Sequence, residues 1–254
     1  MTLSEIKYFL DEECALYNQP KFIESDPIQV PKLFIEKEDI EIAAFLTSII
    51  SWGKRTSIIK NAMHLMKLMD YHPHDFVMHA TEEEKKPLQS FVHRTFNGSD
   101  CTYSIQALKH LNTKYGGLQH LFESTYIEHG SIKYTLSKLH EAFFEIPGER
   151  TRKHIANVNQ GASAKRLNMF LRWMVRSDKR GVDFGLWKGI PQSALMLPLD
   201  VHTGNVARKL GILNRKQNDW KAVEEVTNVL QTFDPDDPIK YDFALFGLGI
   251  FEEF

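Results

Sequence analysis

No stretch of this chain alternates apolar and polar residues between hairpin turns, whereas apolar residues recur at three- and four-residue intervals along most of its length. A chain with that period buries one stripe of each helix and has no faces from which to build a sheet. The fold class predicted is therefore all-α. Leu3, Ile6, Leu10 and Tyr17 mark a first helix, Ile40, Ala43, Ala44 and Ile50 a second, and Ile58, Ile59, Met63, Met66 and Met69 a third. Further helices are predicted in "SDCTYSIQALKHLNTKYGG", "SIKYTLSKLHEAFFEI", "SAKRLNMFLRWMVR", "DVHTGNVARKLG", "NDWKAVEEVTNVLQTF" and "DPIKYDFALFGLGIF". Several open on Ser or Asp and close on Gly, the residues that satisfy the free N–H and C=O groups of helix ends. No fixed-period repeat is visible, which argues against a solenoid.

The net charge of −2 hides a strong asymmetry. Thirteen Lys/Arg and three acids lie between Thr151 and Lys216, a net +10, so the rest of the chain carries −12. A basic third beside an acidic remainder points to a polyanionic partner, and it also fits a solvated helical surface. The same asymmetry suggests a mainly acidic helical lobe over 1–150 and a basic lobe over 151–254, with the first helix packing back on the second lobe. Cys14 and Cys101 stand alone, without the spacing of a zinc or iron–sulfur site or a disulfide framework. The N-terminus mixes acids with amphipathic positions, and no apolar run approaches the roughly 18 residues of a membrane span. These features predict a cytoplasmic protein that uses neither a membrane nor a cofactor.

Two places carry potential chemistry. In "NQGASAKRLNMFLRWMVR", Ser163 is placed to cap a helix whose first turn holds Lys165 and Arg166. Positive charge is disfavoured there, because the free N–H groups of a helix start are themselves partly positive. An amine so placed and partly buried is pushed toward its neutral, nucleophilic form. In "LPLDVHTGNVARKLGIL", Asp200 opens the next helix but one loop later. A helix of about 20 Å separates Lys165 from the start of the connector. The connector, "SDKRGVDFGLWKGIPQSALMLPL", is long enough to return that distance at about 3.3 Å per residue. Asp200 can thus lie beside Lys165 as an acid–base or electrostatic partner.

These two segments resemble the helix-hairpin-helix DNA glycosylase superfamily, the endonuclease III and 8-oxoguanine glycosylase fold. "LPLDVHTGNVARKLG" is similar to its Pro-x-Asp-x-His stretch, with Asp200 at the catalytic aspartate and Pro198 and His202 beside it. "GASAKRL" is similar to its Gly-x-Gly-x-Lys hairpin, with Gly161 at the first glycine, Ser163 at the second and Lys165 at the Schiff-base lysine. "EIAAFLTSIISWGKRT" and "DPIKYDFALFGLGI" sit where the superfamily has its first core helix with the adjoining DNA-probing loop and its last core helix. As a whole the chain resembles an uncharacterised bacterial family, a conserved domain of unknown function. The separation of Lys165 and Asp200, 35 residues, is closer to that of archaeal 8-oxoguanine glycosylases than to that of endonuclease III.

The resemblance implies a two-lobed fold with a cleft between the lobes, a damaged DNA duplex as partner, and base excision with associated strand-cleaving lyase activity. Lys165 would be the nucleophile and Asp200 its electrostatic and acid–base partner, with His202 behind Asp200. A flipped base needs aromatic faces and a wedge, for which Trp52, Phe170, Trp173 and Trp187 are candidates; core packing is the alternative for each. Lys54, Arg55, Gly161, Ser163, Arg166, Thr203, Asn205 and Arg208 are candidate DNA contacts. In "YHPHDFVMH", His72, His74, His79 and Asp75 are of metal-binding type, but no second cluster completes a site and the prolines predict a turn. Two other readings remain open on the residues alone: a non-catalytic nucleic-acid-binding protein on the same fold, and a helical interaction scaffold.

Overall fold

A computed structural model describes residues 1–251. The helices in chain order are α1 (Leu3–Tyr17), α2 (Lys37–Ile49), α3 (Arg55–Leu68), α4 (Pro73–His79), α5 (Glu82–Lys85), α6 (Gly98–Tyr115), α7 (Leu118–His129), α8 (Ile132–Phe143), α9 (Lys165–Val175), α10 (Val201–Lys209), α11 (Trp220–Phe233) and α12 (Tyr241–Phe251). A single short antiparallel pair, β1 (Val92–His93) and β2 (Phe96–Asn97), is the one sheet among the described residues. The protein is predominantly helical, and no described helix is long and apolar enough to cross a membrane.

The chain divides into two compact units. Residues 23–156 form an inserted unit, and residues 1–22 join those from 157 onward in a terminal unit. The breaks thus fall at 22/23 and 156/157, where charge alone placed one boundary near Arg150.

In the inserted unit α2 is buried from Ile40 to Ile49 and packs with α3 and α4, while α6 packs with α7 and α8. Helix α6 starts on a reciprocal cap, Asn97 with Asp100, and stops at Gly116, whose φ of +72° is the left-handed turn that glycine adopts without strain. Besides the short strand pair and α5, which the sequence did not predict, two longer elements differ from the sequence expectation. "YHPHDFVMH" is largely helix rather than turn: Pro73 occupies the first turn of α4, where its missing N–H has no helical partner to lose. Helix α7, not among the predicted helices, begins at Gly117 without a side-chain cap and buries only Leu118, Leu121, Phe122 and Thr125.

In the terminal unit α1 lays Ile6, Leu10 and Cys14 into the core and packs along α12, which also receives α10. Two glycines of α12 permit these approaches. A Cβ on Gly247 would collide with the ring of Tyr17, and one on Gly249 would come within 3.1 Å of His202 Cβ. Tyr241 adds a polar tie, its hydroxyl donating to Asp11 Oδ1 at 2.9 Å.

Candidate active site

Helix α9 has an unusual start. Its N-cap is Ala164 rather than the expected Ser163, and Ala164 sits at φ +51° with no side-chain cap. A left-handed non-glycine residue costs about 1–2 kcal/mol. The turn before it is organised by Asn157, whose Oδ1 accepts from Asn159 N at 3.0 Å and Gln160 N at 3.3 Å, and by Gly161 at φ +84°. Gly161 C=O accepts from Trp220 N at 2.9 Å, which ties the turn to the start of α11. Ser163 contributes its carbonyl, which accepts from Asn168 Nδ2 at 3.2 Å.

Lys165 is the first residue of α9 and is half-buried. Its amine donates to the Met169 thioether sulfur at 3.4 Å, a weak acceptor, and makes no ion pair among the described residues. Arg166, also half-buried, is pushed down to about 10 by burial.

Helix α10 starts in the opposite manner. Asp200 Oδ1 accepts from His202 N at 2.9 Å and Thr203 N at 3.0 Å, and Thr203 Oγ1 returns the favour by accepting from Asp200 N at 2.9 Å. The second carboxylate oxygen, Oδ2, takes part in none of the hydrogen bonds of the described residues and belongs to a half-buried side chain. Asn218 Nδ2 donates to Asp200 C=O at 2.9 Å, and Asn218 is itself held by Arg208. Asp200 is thereby fixed on one side and open on the other.

Sequence reasoning missed one buried carboxylate of the terminal unit. Asp242, in the first turn of α12, is buried and ion-paired with Arg172 of α9. Arg172 Nε also reaches Asp183 Oδ1 at 3.2 Å, and Arg176 joins Asp183 at 2.9 Å, Asp178 at 2.9 Å and Asp237 at 2.8 Å. Both guanidiniums lie over the Phe243 ring, Arg172 at 4.4 Å and Arg176 at 5.4 Å from its centroid. Burial pushes the Asp242 carboxyl up to about 6; Arg172 and Lys165 oppose the rise, and the negative charge of Asp200 adds to it. The signal for Asp242 was present in the sequence, as it is the one charged residue of "YDFALFGLGIF".

The remaining expectations sort by burial. Phe170, Trp173 and Trp187 expose none of their surface and pack in the core, Phe170 edge-on to Trp187 at 5.4 Å, which corrects their reading as a pocket or wedge. They offer no face to a base. Thr203 is buried in the cap of α10, and Arg208 spends donors on Arg215 C=O at 2.8 Å and on Asn218, so both hold the Asp200 segment in place. Asn205 is exposed. His202 acts on Asp200 through its backbone N–H, and its Cβ packs at Gly249. Trp52, Lys54 and Arg55 belong to the inserted unit: Trp52 stacks on His154 at 5.6 Å, exposed Lys54 precedes α3, and Arg55 donates to Ser25 Oγ at 3.3 Å. Among the described residues no group of three or more His, Cys, Asp or Glu is placed to hold a metal ion.

A family model described as a protein of unknown function, DUF2400, matches residues 26–251. The chain belongs to that family. No curated protein and no solved structure matches it.

Proposed function

We propose that this DUF2400 chain is a DNA base-excision glycosylase with associated lyase activity on a helix-hairpin-helix glycosylase-like fold, acting in the cytoplasm on damaged duplex DNA. The observation that carries the reading is a half-buried Lys165 in the uncapped first turn of α9, with Asp200 fixed at the start of α10 35 residues later. Further support comes from an amine left on a thioether and a carboxylate with one oxygen uncommitted, an arrangement suited to attack and to charge stabilisation rather than to a static ion pair.

In this reading Asp200 Oδ2 takes a proton from Lys165, and the neutral amine attacks the anomeric carbon of a flipped nucleotide. The C–N bond to the base breaks with its electron pair leaving on the base, which is then protonated. Loss of the second amine proton frees the nitrogen lone pair to break the C1′–O4′ bond, O4′ leaving with the electron pair and taking up a proton; from the resulting protonated imine, removal of a C2′ proton expels the 3′ phosphate with the C3′–O electron pair. Once the proton taken from Lys165 has passed to the departing base, Asp200 is again a carboxylate and stabilises the positive charge of the iminium.

Borohydride reduction during incubation with duplex DNA tests this directly. A covalent adduct is expected with abasic or damaged duplex, absent for Lys165→Gln and reduced about 100-fold or more for Asp200→Asn. No adduct across oxidised, deaminated and abasic substrates would overturn the proposal.

A further inference from the structure

The hairpin of β1 and β2, in the inserted unit, presents a cation that turn chemistry does not explain. His93 pairs with Phe96, which leaves Arg94 and Thr95 as the two turn residues. Arg94 holds φ at +55°. Glycine, asparagine and aspartate take a positive φ in such turns at less cost than arginine does. A residue held in a sparsely populated backbone region points to a demand on its side chain.

The turn is fixed on both sides. Before it, His93 is buried, its Nε2 donates to Trp52 C=O at 3.1 Å, and its Nδ1 accepts from Asn61 Nδ2 at 2.8 Å. After it, Thr95 C=O accepts from Arg150 at 2.9 Å, and Arg150 is itself paired with buried Asp100. The Arg94 side chain lies across Gly53, in the loop between α2 and α3. A Cβ on that glycine would come within 2.9 Å of Arg94 Nη1 and 3.1 Å of its Cδ, so the bare backbone leaves the guanidinium a seat. Lys54 follows Gly53 in the chain. Arg94 and Lys54 are both exposed, and neither makes an ion pair among the described residues. Arg150 and Arg55 differ, the first engaged with Asp100 and Thr95 and the second with Ser25.

We propose that this hairpin is a DNA contact surface of the inserted unit, on which Arg94 grips a backbone phosphate of the duplex and Lys54 adds charge beside it. The proposal takes duplex DNA as its partner from the functional reading above and uses none of that reading's chemistry. A guanidinium meets a phosphate with a planar fork of donors, and one already seated forfeits little freedom on binding. Phosphate contacts carry no sequence information, so the surface holds intact and damaged duplex alike.

The test is binding of the full chain to an undamaged, fluorescein-labelled duplex, followed by anisotropy across a salt titration. It is made in a Lys165→Gln background, where no imine forms. Arg94→Gly suits the turn and is expected to melt no lower than the parent. It should nevertheless bind about tenfold more weakly, with the slope of log affinity against log salt reduced by about 1, as loss of one phosphate contact requires. Arg94→Lys keeps the charge and loses the fork, so it should retain the slope and recover only part of the affinity. Lys133→Ala removes an exposed cation of α8 in the same unit and should change neither. Equal losses in Arg94→Gly and Lys133→Ala would overturn the proposal, as would failure of the parent to bind at low salt. An equal loss of affinity for polyglutamate would overturn DNA as the occupant. Borohydride trapping by the wild type is judged separately. Arg94-dependent binding without any adduct would leave this surface standing and remove the glycosylase reading. An adduct with Arg94-independent binding would do the reverse.

Discussion

Helices α9 and α10 supply the two proposed reacting groups, and they are secured at opposite ends. Helix α10 is held where it starts, by the reciprocal cap of Asp200 and Thr203. Helix α9 starts with a left-handed alanine, no side-chain cap and a cation in its first turn, and is held farther along by Arg172 and Arg176. Stability explains Asp200, since an acid at a helix start is favourable whatever else it does. Stability does not explain Lys165 or Ala164. Local strain that the surroundings must sustain is characteristic of sites built for function, and here it falls on Ala164, next to the proposed nucleophile, while its partner sits on a conventional cap.

The sharpest way to break this contrast is at the far anchor of α9. Arg172→Ala removes a buried guanidinium and leaves Asp242 and Asp183 without it, so a loss of about 3–5 kcal/mol is expected in urea denaturation. A cost below about 1 kcal/mol would mean that α9 is held by its apolar face alone.

The next effect is read through pH. The Asp242 carboxyl sits at about 6 in the folded chain and near the ordinary 4 when unfolded, so the folded state binds its proton more tightly. This group's contribution is fully present below about pH 4 and is lost as pH rises through about 6, amounting to about 3 kcal/mol. Burial raises Asp237 in the same direction, while Asp178 and Asp234 are lowered and act oppositely, so the measurement is the difference between wild type and Asp242→Asn. The variant is expected to gain on the wild type from pH 4 to 7. A constant difference would place the Asp242 carboxyl in its ordinary range.

Asp200→Ala should cost less, about 1 kcal/mol, the worth of one helix cap. In the same variant borohydride trapping should fall by a far larger factor than that stability loss accounts for. Equal losses of stability and trapping would reduce Asp200 to a cap.

Legibility in the sequence followed the same physics. Helices with a broad apolar stripe and a capping residue, such as α1, α6 and α11, were readable because period and cap coincide. Helix α7 was not, since its start at Gly117 lacks a side-chain cap and its buried stripe is confined to Leu118, Leu121, Phe122 and Thr125, and α4 was hidden because proline at a helix start resembles proline in a turn. At the site, Asp200 and Lys165 stood out because a helix start has a known charge preference that one obeys and the other violates. The aromatic residues misled, since Phe170, Trp173 and Trp187 look alike on paper whether a core or a pocket receives them. Arg172 and Arg176 contributed to the basic third of the chain, yet both are neutralised in the interior by acids from the connector and from the segment leading into and including α12. Charge counted along a sequence overstates what a partner can meet.

The smallest expected effect tests the strained start itself. Ala164→Gly relieves a left-handed residue worth about 1–2 kcal/mol and incurs the greater flexibility of glycine in the unfolded chain, about 0.4–1 kcal/mol. The net expectation is a gain of about 0.5 kcal/mol in urea denaturation. If Ala164 serves to fix Lys165, trapping should nevertheless decline, because a glycine lets the first turn of α9 and its amine sample other positions. A variant that is more stable and less reactive would assign the strain to positioning, and one that is more stable and equally reactive would show that α9 needs no rigid start to present Lys165.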